Sequence, residues 1–249
     1  MRFRTTFGLT LLLFLLAALF ARLGYWQLER MTQKEQLFER FESAPELTLA
    51  EAIRADAEFA RVRAWGRFDT ERHLLVDNRI HQGRAGVHVL TPFQTRDGML
   101  VLVNRGWLPM PADRRSLPKV TTDGAPREIS GRLKRLESPG PRLGETDKLR
   151  TDRWPQLVTW LDHAPVERAL AADVERWIIL LDAGQPDGFE GRDWVPATMA
   201  PATHGAYALQ WFSLAAAAIV IWILLGLRNG RDARTEPQRH KETPDDPTR

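Results

Sequence analysis

Residues 204–227 read HGAYALQWFSLAAAAIVIWILLGL, and from Tyr207 to Leu227 no side chain carries a charge. That run makes a helix of about 32 Å at about 1.5 Å per residue, enough to cross the hydrocarbon core of a bilayer. Phe7 to Leu28, at the other end of the chain, is as long and holds one charge, Arg22. Arg22 is near the outer end, where a long side chain can snorkel to the interface. Both stretches predict membrane-spanning helices. A cleavable leader is the competing reading of the first, because Arg2 and Arg4 precede an apolar heart from Leu11 to Leu16. Cleavage needs a small-x-small site. Leu19 stands two before Ala21 and Leu16 two before Ala18, so that site is missing.

Working outward from the two segments gives a domain plan. Arg2 and Arg4 flank the first helix, and Arg228, Arg231 and Arg234 follow the second. Short basic flanks stay in the cytoplasm, whereas long loops cross largely regardless of charge. The expected order is a cytoplasmic start (1–6), a transmembrane helix (7–28), an extracytoplasmic β-rich domain (29–203), a second transmembrane helix (204–227) and a polar, disordered cytoplasmic tail (228–249). In a bacterium the domain then faces the periplasm from the inner membrane. In a mitochondrion it faces the intermembrane space.

Composition narrows the chemistry. Residues 29–203 hold 26 Lys and Arg against 27 Asp and Glu, so the net charge of +3 belongs to the ends of the chain. The basic pI is therefore no argument for nucleic acid. There is no cysteine. That removes disulfides, thiolate metal sites and thiol redox chemistry. The sequence contains no G-x-S-x-G, H-E-x-x-H, Walker A or G-x-G-x-x-G motif, and nothing in it points to an enzyme.

The middle of the chain reads as α+β, mainly antiparallel β. Gln27 to Glu42 has no Gly or Pro, so the first helix should run to about Phe41, with Pro45 marking its end. Leu47 to Ala55 suggests a short helix opened by a capping box at Thr48 and Glu51. Candidate strands are Ala60–Phe68, Leu74–Ile80, Val87–Gln94, Met99–Trp107 and Glu128–Leu136. Arg96-Asp97-Gly98 is the hairpin signal between the third and fourth. Leu157–Leu161 and Val174–Leu181 are further strands, around a helix His163–Ala172 that Asp162 should cap and that has Pro165 in its first turn. Leu108–Pro126 and Ser138–Pro155 read as loops, and Asp182–Ala202 as an irregular approach to the last helix. Asn78-Arg79 echoes Asn104-Arg105, which fits two strands ending alike or a shared ligand site.

Candidate site residues cluster at the helix ends. Steps of 100° put His204, Ala208, Trp211 and Ala215 on one helical stripe, with Tyr207 beside it. An ionisable group at membrane depth is a functional candidate by default. An interfacial aromatic belt with a solvated histidine is the other reading. Ala17, Ala21 and Gly24 form a small-residue stripe on the first helix, and Ala215–Ala218 offer the same on the second. Tyr25, Trp26 and Gln27 should then lie at the depth of Tyr207 to Trp211. Arg79 and Arg105 are candidates for binding acidic groups bidentately, or structural. His73, His81 and His88 fit no standard metal-ligand spacing and read as structural or solvated.

Three separated stretches resemble the Surfeit locus protein one family of cytochrome c oxidase assembly factors. The first is Gly24-Tyr25-Trp26-Gln27-Leu28-Glu29-Arg30, similar to the family's Gly-x-Trp-Gln-x-x-Arg. The second runs from Arg63 through Gly66-Arg67-Phe68, Asn78-Arg79 and Gly86-Val87-His88-Val89-Leu90-Thr91-Pro92 to Val101-Leu102-Val103-Asn104-Arg105-Gly106-Trp107. The third is His204 to Phe212, similar to His-x-x-Tyr-Ala-x-Gln-Trp-Phe. Thr203 stands where the family often has a basic or amide residue. The resemblance implies a non-enzymatic role in building haem-copper oxidases, by helping haem a into the catalytic subunit. It implies that subunit as partner, with haem a synthesis proteins and membrane lipid nearby and no nucleic acid. Haem wants a nitrogen ligand, π surface and small residues that make room. The expected binding residues are His204, as iron ligand, with Tyr207, Trp211, Trp26, Gln27 and Arg105. A cofactor-free bitopic scaffold for oxidase subunits is the alternative.

Overall fold

Strand alternation and long apolar runs divide the chain into a β-rich part and a helical part, and the computed structural model builds them as separate units. It describes residues 5–111, 113, 116–136, 149–197 and 199–235. In chain order the elements are α1 (Phe7–Glu42), β1 (Glu46–Thr48), α2 (Leu49–Arg54), β2 (Arg61–Phe68), β3 (Leu74–His81), β4 (Arg84–Thr95), β5 (Leu100–Pro109), β6 (Arg127–Arg135), β7 (Gln156–Val158), α3 (His163–Leu170), β8 (Trp177–Leu181) and α4 (Pro201–Thr235). One unit holds the chain up to Leu37 and from Ala197 onward; the other is Phe38–Pro196.

The helical unit is an antiparallel pair. Trp222 Nε1 donates to Thr10 Oγ1 at 3.2 Å, and the Trp222 ring meets Phe14 edge-on at 5.3 Å. Further along α1, Phe20 stacks on Trp211 at 5.8 Å, Tyr25 meets Phe212, and Gly205 faces Met31. Numbers rise on α1 as they fall on α4. Ala208, Ala215, Ala218 and Gly226 are buried small residues of α4, and Gly24 is buried on α1. A Cβ at Gly24 would sit 2.8 Å from the Phe212 ring, so its missing side chain sets how closely the helices approach. Each helix has a stretch of mean hydropathy 2.1 and is long and apolar enough to cross a membrane. α1 continues without interruption past Leu28 to Glu42. α4 continues past Arg228 to Thr235, where polar composition predicts irregular chain; residues 236–249 lie outside the described residues.

The β unit is built on a closed ring. β2 pairs with β6 and β4, β6 with β8, β8 with β5, and β5 with β4. These five strands form a small barrel. β1 adds parallel to β2, β3 adds to the first half of β4, and β7 adds parallel to β3. Most pairings are antiparallel, as expected, but β1–β2, β3–β7 and β5–β8 are parallel. Strict alternation in β2 sends Val62, Ala64 and Phe68 into the barrel with Phe93, Val101, Val103, Ile129, Leu133 and Ile179. β8 reads WIILL because it is buried on both faces. Ile179 and Leu181 point into the barrel, while Ile178 and Leu180 pack with Val166 and Leu170 of α3. A strand covered on both sides loses its polar alternation.

Local signals explain several ends. The capping box forms as expected: Glu51 N–H donates to Thr48 Oγ1, and Thr48 N–H to Glu51 Oε2 at 3.1 Å. The Arg96–Gly98 turn joins β4 to β5, with Gly98 at φ 89°. Gln82 and Gly83, both at positive φ, make a two-residue turn between β3 and β4 that the expected strand bounds left out. Asp162 occupies the N-cap of α3 in extended conformation but makes no side-chain capping bond, which corrects that expectation. His163 anchors the segment instead, with Nε2 2.5 Å from the Val174 carbonyl oxygen. The seventh strand is shorter and earlier than expected, Gln156–Val158. Of the expected loop Ser138–Pro155, residues 138–148 lie outside the described residues.

Candidate functional site

Within the helical unit, α1 and α4 bring Gln27 and His204 together. The Gln27 amide oxygen lies 2.8 Å from His204 Nδ1. An amide oxygen only accepts hydrogen bonds, so Nδ1 is the donor, and in the neutral form of the ring Nε2 then keeps its lone pair. Nε2 is shielded from solvent and has no hydrogen-bond partner. Gln27 is itself buried, and one turn beyond His204 the Ala208 methyl is buried too. A neutral imidazole whose Nδ1–H is held by a carbonyl oxygen is oriented for ligation through Nε2. The same bond also ties two apolar helices together, an interaction averaging about 0.6 kcal/mol between membrane helices.

The other expected residues divide. Trp211 is half-buried and stacked on Phe20 of α1, on the stripe with His204. Tyr207 is 45% exposed and Trp26 41% exposed. Both face outward, with the Arg30 guanidinium 5.7 Å over the Trp26 ring. The sequence placed Gln27 at the right depth but did not single it out as the partner of His204. The signal was there: one amide in the apolar stretch Phe7–Leu28 of α1, opposite the one imidazole of α4. Phe20, which backs Trp211, was not legible as part of the site, because an apolar residue in an apolar segment carries no distinguishing mark.

Arg105 belongs to the β unit, and its guanidinium is engaged there. It is 1% exposed. Nε donates to the Asp187 carbonyl at 2.7 Å, Nη1 to Thr122 and Thr91 hydroxyls, and Nη2 to the Thr121 carbonyl. Phe68 and Phe189 rings lie 4.9 Å from its Cζ. Burial, with the nearby positive charge of Arg127, pushes its pKa down to about 10. A buried arginine held by neutral acceptors braces the 121–122 and 187–189 segments against β5, and its donors are not offered to a ligand. Arg79 contributes its backbone: its carbonyl accepts Trp107 Nε1–H at 2.8 Å. The Asn-Arg echo does not make a shared site. Asn78 sits at φ 57° beside a register shift in β3, whereas Asn104 is buried within β5 and accepts from Gly106 N–H.

His73, His81 and His88, in or next to β3 and β4, are apart in role. His73 Nδ1 is 3.0 Å from the Thr91 hydroxyl that Arg105 also reaches. His88 Nδ1 accepts from Asn104 Nδ2 at 3.3 Å, and its ring meets Trp194 edge-on. His81 lies against Trp107 at 5.3 Å. Burial is the main cause that lowers the pKa of both His73 and His88 to about 4, reinforced by Arg105 at the first and by Arg79 at the second.

Comparison with known proteins agrees with the motifs. The sequence model of the SURF1 family matches residues 14–216. A SURF1-like protein of Monosiga brevicollis is 29% identical over 242 residues, covering 87% of this chain and 88% of the relative. A SURF1-like protein of Rickettsia felis is 26% identical, covering 81% and 89%. Surfeit locus protein 1 of Xenopus tropicalis is 28% identical, covering 85% and 73%. The chain belongs to the SURF1 family.

Proposed function

We propose, from the premise of SURF1 family membership, that this chain is a membrane-anchored assembly factor for haem-copper oxidases of the cytochrome c oxidase type, helping haem a reach the catalytic subunit. The observation that carries the reading is the orphaned Nε2 of His204, with Nδ1–H held by Gln27. Haem iron takes a neutral imidazole nitrogen of this kind, so the residues fit the group. His204 would hold the iron, and Gln27 would fix the ring's orientation and tautomer. Trp211 would offer π surface, and Ala208 the room of a small side chain. Tyr207 and Trp26 would flank the group at the interface. Arg105 has no part in this arrangement, because its donors are spent within the β unit. Haem a is cargo here, and its redox chemistry is exercised in the oxidase.

The basic flanks support both termini in the cytoplasm, with the β unit across the inner membrane. The role is placement, with no catalytic step. The neighbours expected in the membrane are the oxidase catalytic subunit and the proteins that make haem a.

A second reading has one observation in its favour. Nε2 is fully shielded, as it would be if the His204–Gln27 bond served only to join two helices of a cofactor-free scaffold. The absorption spectrum of protein purified from cells that make haem a separates the two. A Soret band that is lost in His204→Ala supports ligation. A colourless parent protein supports the scaffold.

A further inference from the structure

The outward face of β2 carries an aromatic–cation surface that neither the helical site nor the barrel core uses. Alternation turns Arg61, Arg63, Trp65 and Arg67 outward. Trp65 is 53% exposed, a large apolar side chain left unpaired with its own core. Arg63 is neutralised by Glu46 at 2.8 Å. Arg67 makes no ion pair among the described residues, and neither does Arg96, whose backbone N–H donates to the Trp65 carbonyl at 2.8 Å. That bond holds the Arg96 backbone next to Trp65, where β2 leaves β1 and joins β4. A cleft of about 320 Å³ opens at this junction, lined by Trp65, Arg67, Gln94, Thr95, Arg96 and Pro126. No carboxylate lines it. Glu128, the cross-strand neighbour of Trp65, is the nearest acid on the face of β6.

We infer that this cleft docks an acidic peptide segment of a partner protein, with an apolar side chain against Trp65 and flanking carboxylates on Arg67 and Arg96. Trp and Arg are the residues on which binding energy concentrates at protein interfaces. Guanidinium pairs meet carboxylates bidentately, and clusters of Arg are a recurrent means of reading acidic motifs. Concavity favours a peptide over a bilayer: an inserted side chain can fill a cleft that a flat headgroup surface only covers. Glu128 beside the cleft would repel an acid placed on the β6 side and so set the direction of the bound segment.

The test uses the full chain in nanodiscs of neutral lipid and a fluorescein-labelled peptide, Glu-Asp-Leu-Phe-Asp-Glu, with Lys-Lys-Leu-Phe-Lys-Lys as its counterpart. The acidic peptide should bind, weaken with added salt, and lose about tenfold in affinity in Trp65→Ser and in the Arg67→Ser, Arg96→Ser double variant. Arg67→Glu with Arg96→Glu should reverse the preference between the two peptides, a gain that misfolding cannot mimic. No binding of the acidic peptide by the parent chain, or equal binding by all variants, overturns the inference. So does capture of phosphatidylglycerol vesicles by the parent and not by the variants when the acidic peptide does not bind, which makes the face a lipid contact.

Discussion

Gln27 Oε1 and His204 Nδ1 stand 2.8 Å apart across two apolar helices, 177 residues apart in sequence. One hydrogen bond thereby sets the tautomer of the only imidazole among the described residues of the helical unit and fixes which nitrogen is free. If the bond serves ligation, Gln27→Leu should leave His204 present but weaken haem retention by about 10- to 100-fold, the usual cost of losing a ligand's supporting partner. Titrating haem into purified protein and following the Soret band checks it. Gln27→Glu, which still accepts from Nδ1, should retain more haem than Gln27→Leu.

The same pair should be visible in stability alone. A double-mutant cycle of Gln27→Leu and His204→Leu in detergent should give a coupling of about 0.6 to 1.7 kcal/mol. Coupling indistinguishable from zero would mean that the bond contributes nothing to helix pairing.

Gly24 and Gly205 both sit at helix contacts but should respond differently. A Cβ at Gly24 meets the Phe212 ring at 2.8 Å, and one at Gly205 meets the flexible Met31 Sδ at 3.0 Å. Gly24→Ala should destabilise the pair by about 1–3 kcal/mol through overpacking. Gly205→Ala should be near neutral, because the thioether can move and alanine favours the helix by about 1 kcal/mol. Thermal midpoints of the two variants in one detergent decide the order.

Arg105→Met should cost the β unit about 3 kcal/mol or more. It strands the Asp187 and Thr121 carbonyls and the Thr122 hydroxyl that the guanidinium now satisfies, and bonds to charged donors are worth about 1.5–3 kcal/mol each. A fall in thermal midpoint of roughly 6–12 °C is expected for a unit of this size. Arg105→Lys should rescue only partly, because a point charge cannot make the fork or stack between Phe68 and Phe189.

Stability of the β unit should fall on mild acidification. His73 and His88 have pKa values lowered to about 4 in the folded chain, against about 6.5 unfolded. Between those values the unfolded chain binds more protons, so stability is full above pH 6.5 and is lost as pH falls toward 4. Chemical denaturation from pH 7 to 4.5 should show this decline, and His88→Asn should flatten it. A slope unchanged by that substitution would remove His88 from the account.

The sequence carried a good part of this architecture because its signals are local or periodic. The alternation of β2, the capping box at Thr48 and Glu51 and the Arg96–Gly98 hairpin needed no partner element to be read. Asp162 shows where such reasoning ends: a capping residue stood at the right place, yet His163 took the anchoring role by reaching the Val174 carbonyl. Arg105 shows the same limit for a site residue. A guanidinium at a strand end suggests a ligand for acids, but its acceptors lie in segments 16 and 82 residues away, and only folding brings them to it.

By itself the sequence determined the two long apolar helices, the α+β segment between them, the family and the interest of His204, because hydrophobic length, residue alternation and ordered motifs are properties of neighbours along the chain. The tertiary structure decided that five strands close into a barrel, that Arg105 is internal bracing, and that Gln27, not Tyr207 or Trp26, meets the imidazole. Those outcomes depend on which faces meet when distant segments pack, and the direction a side chain takes across a helix pair or a closed sheet is written in no local stretch.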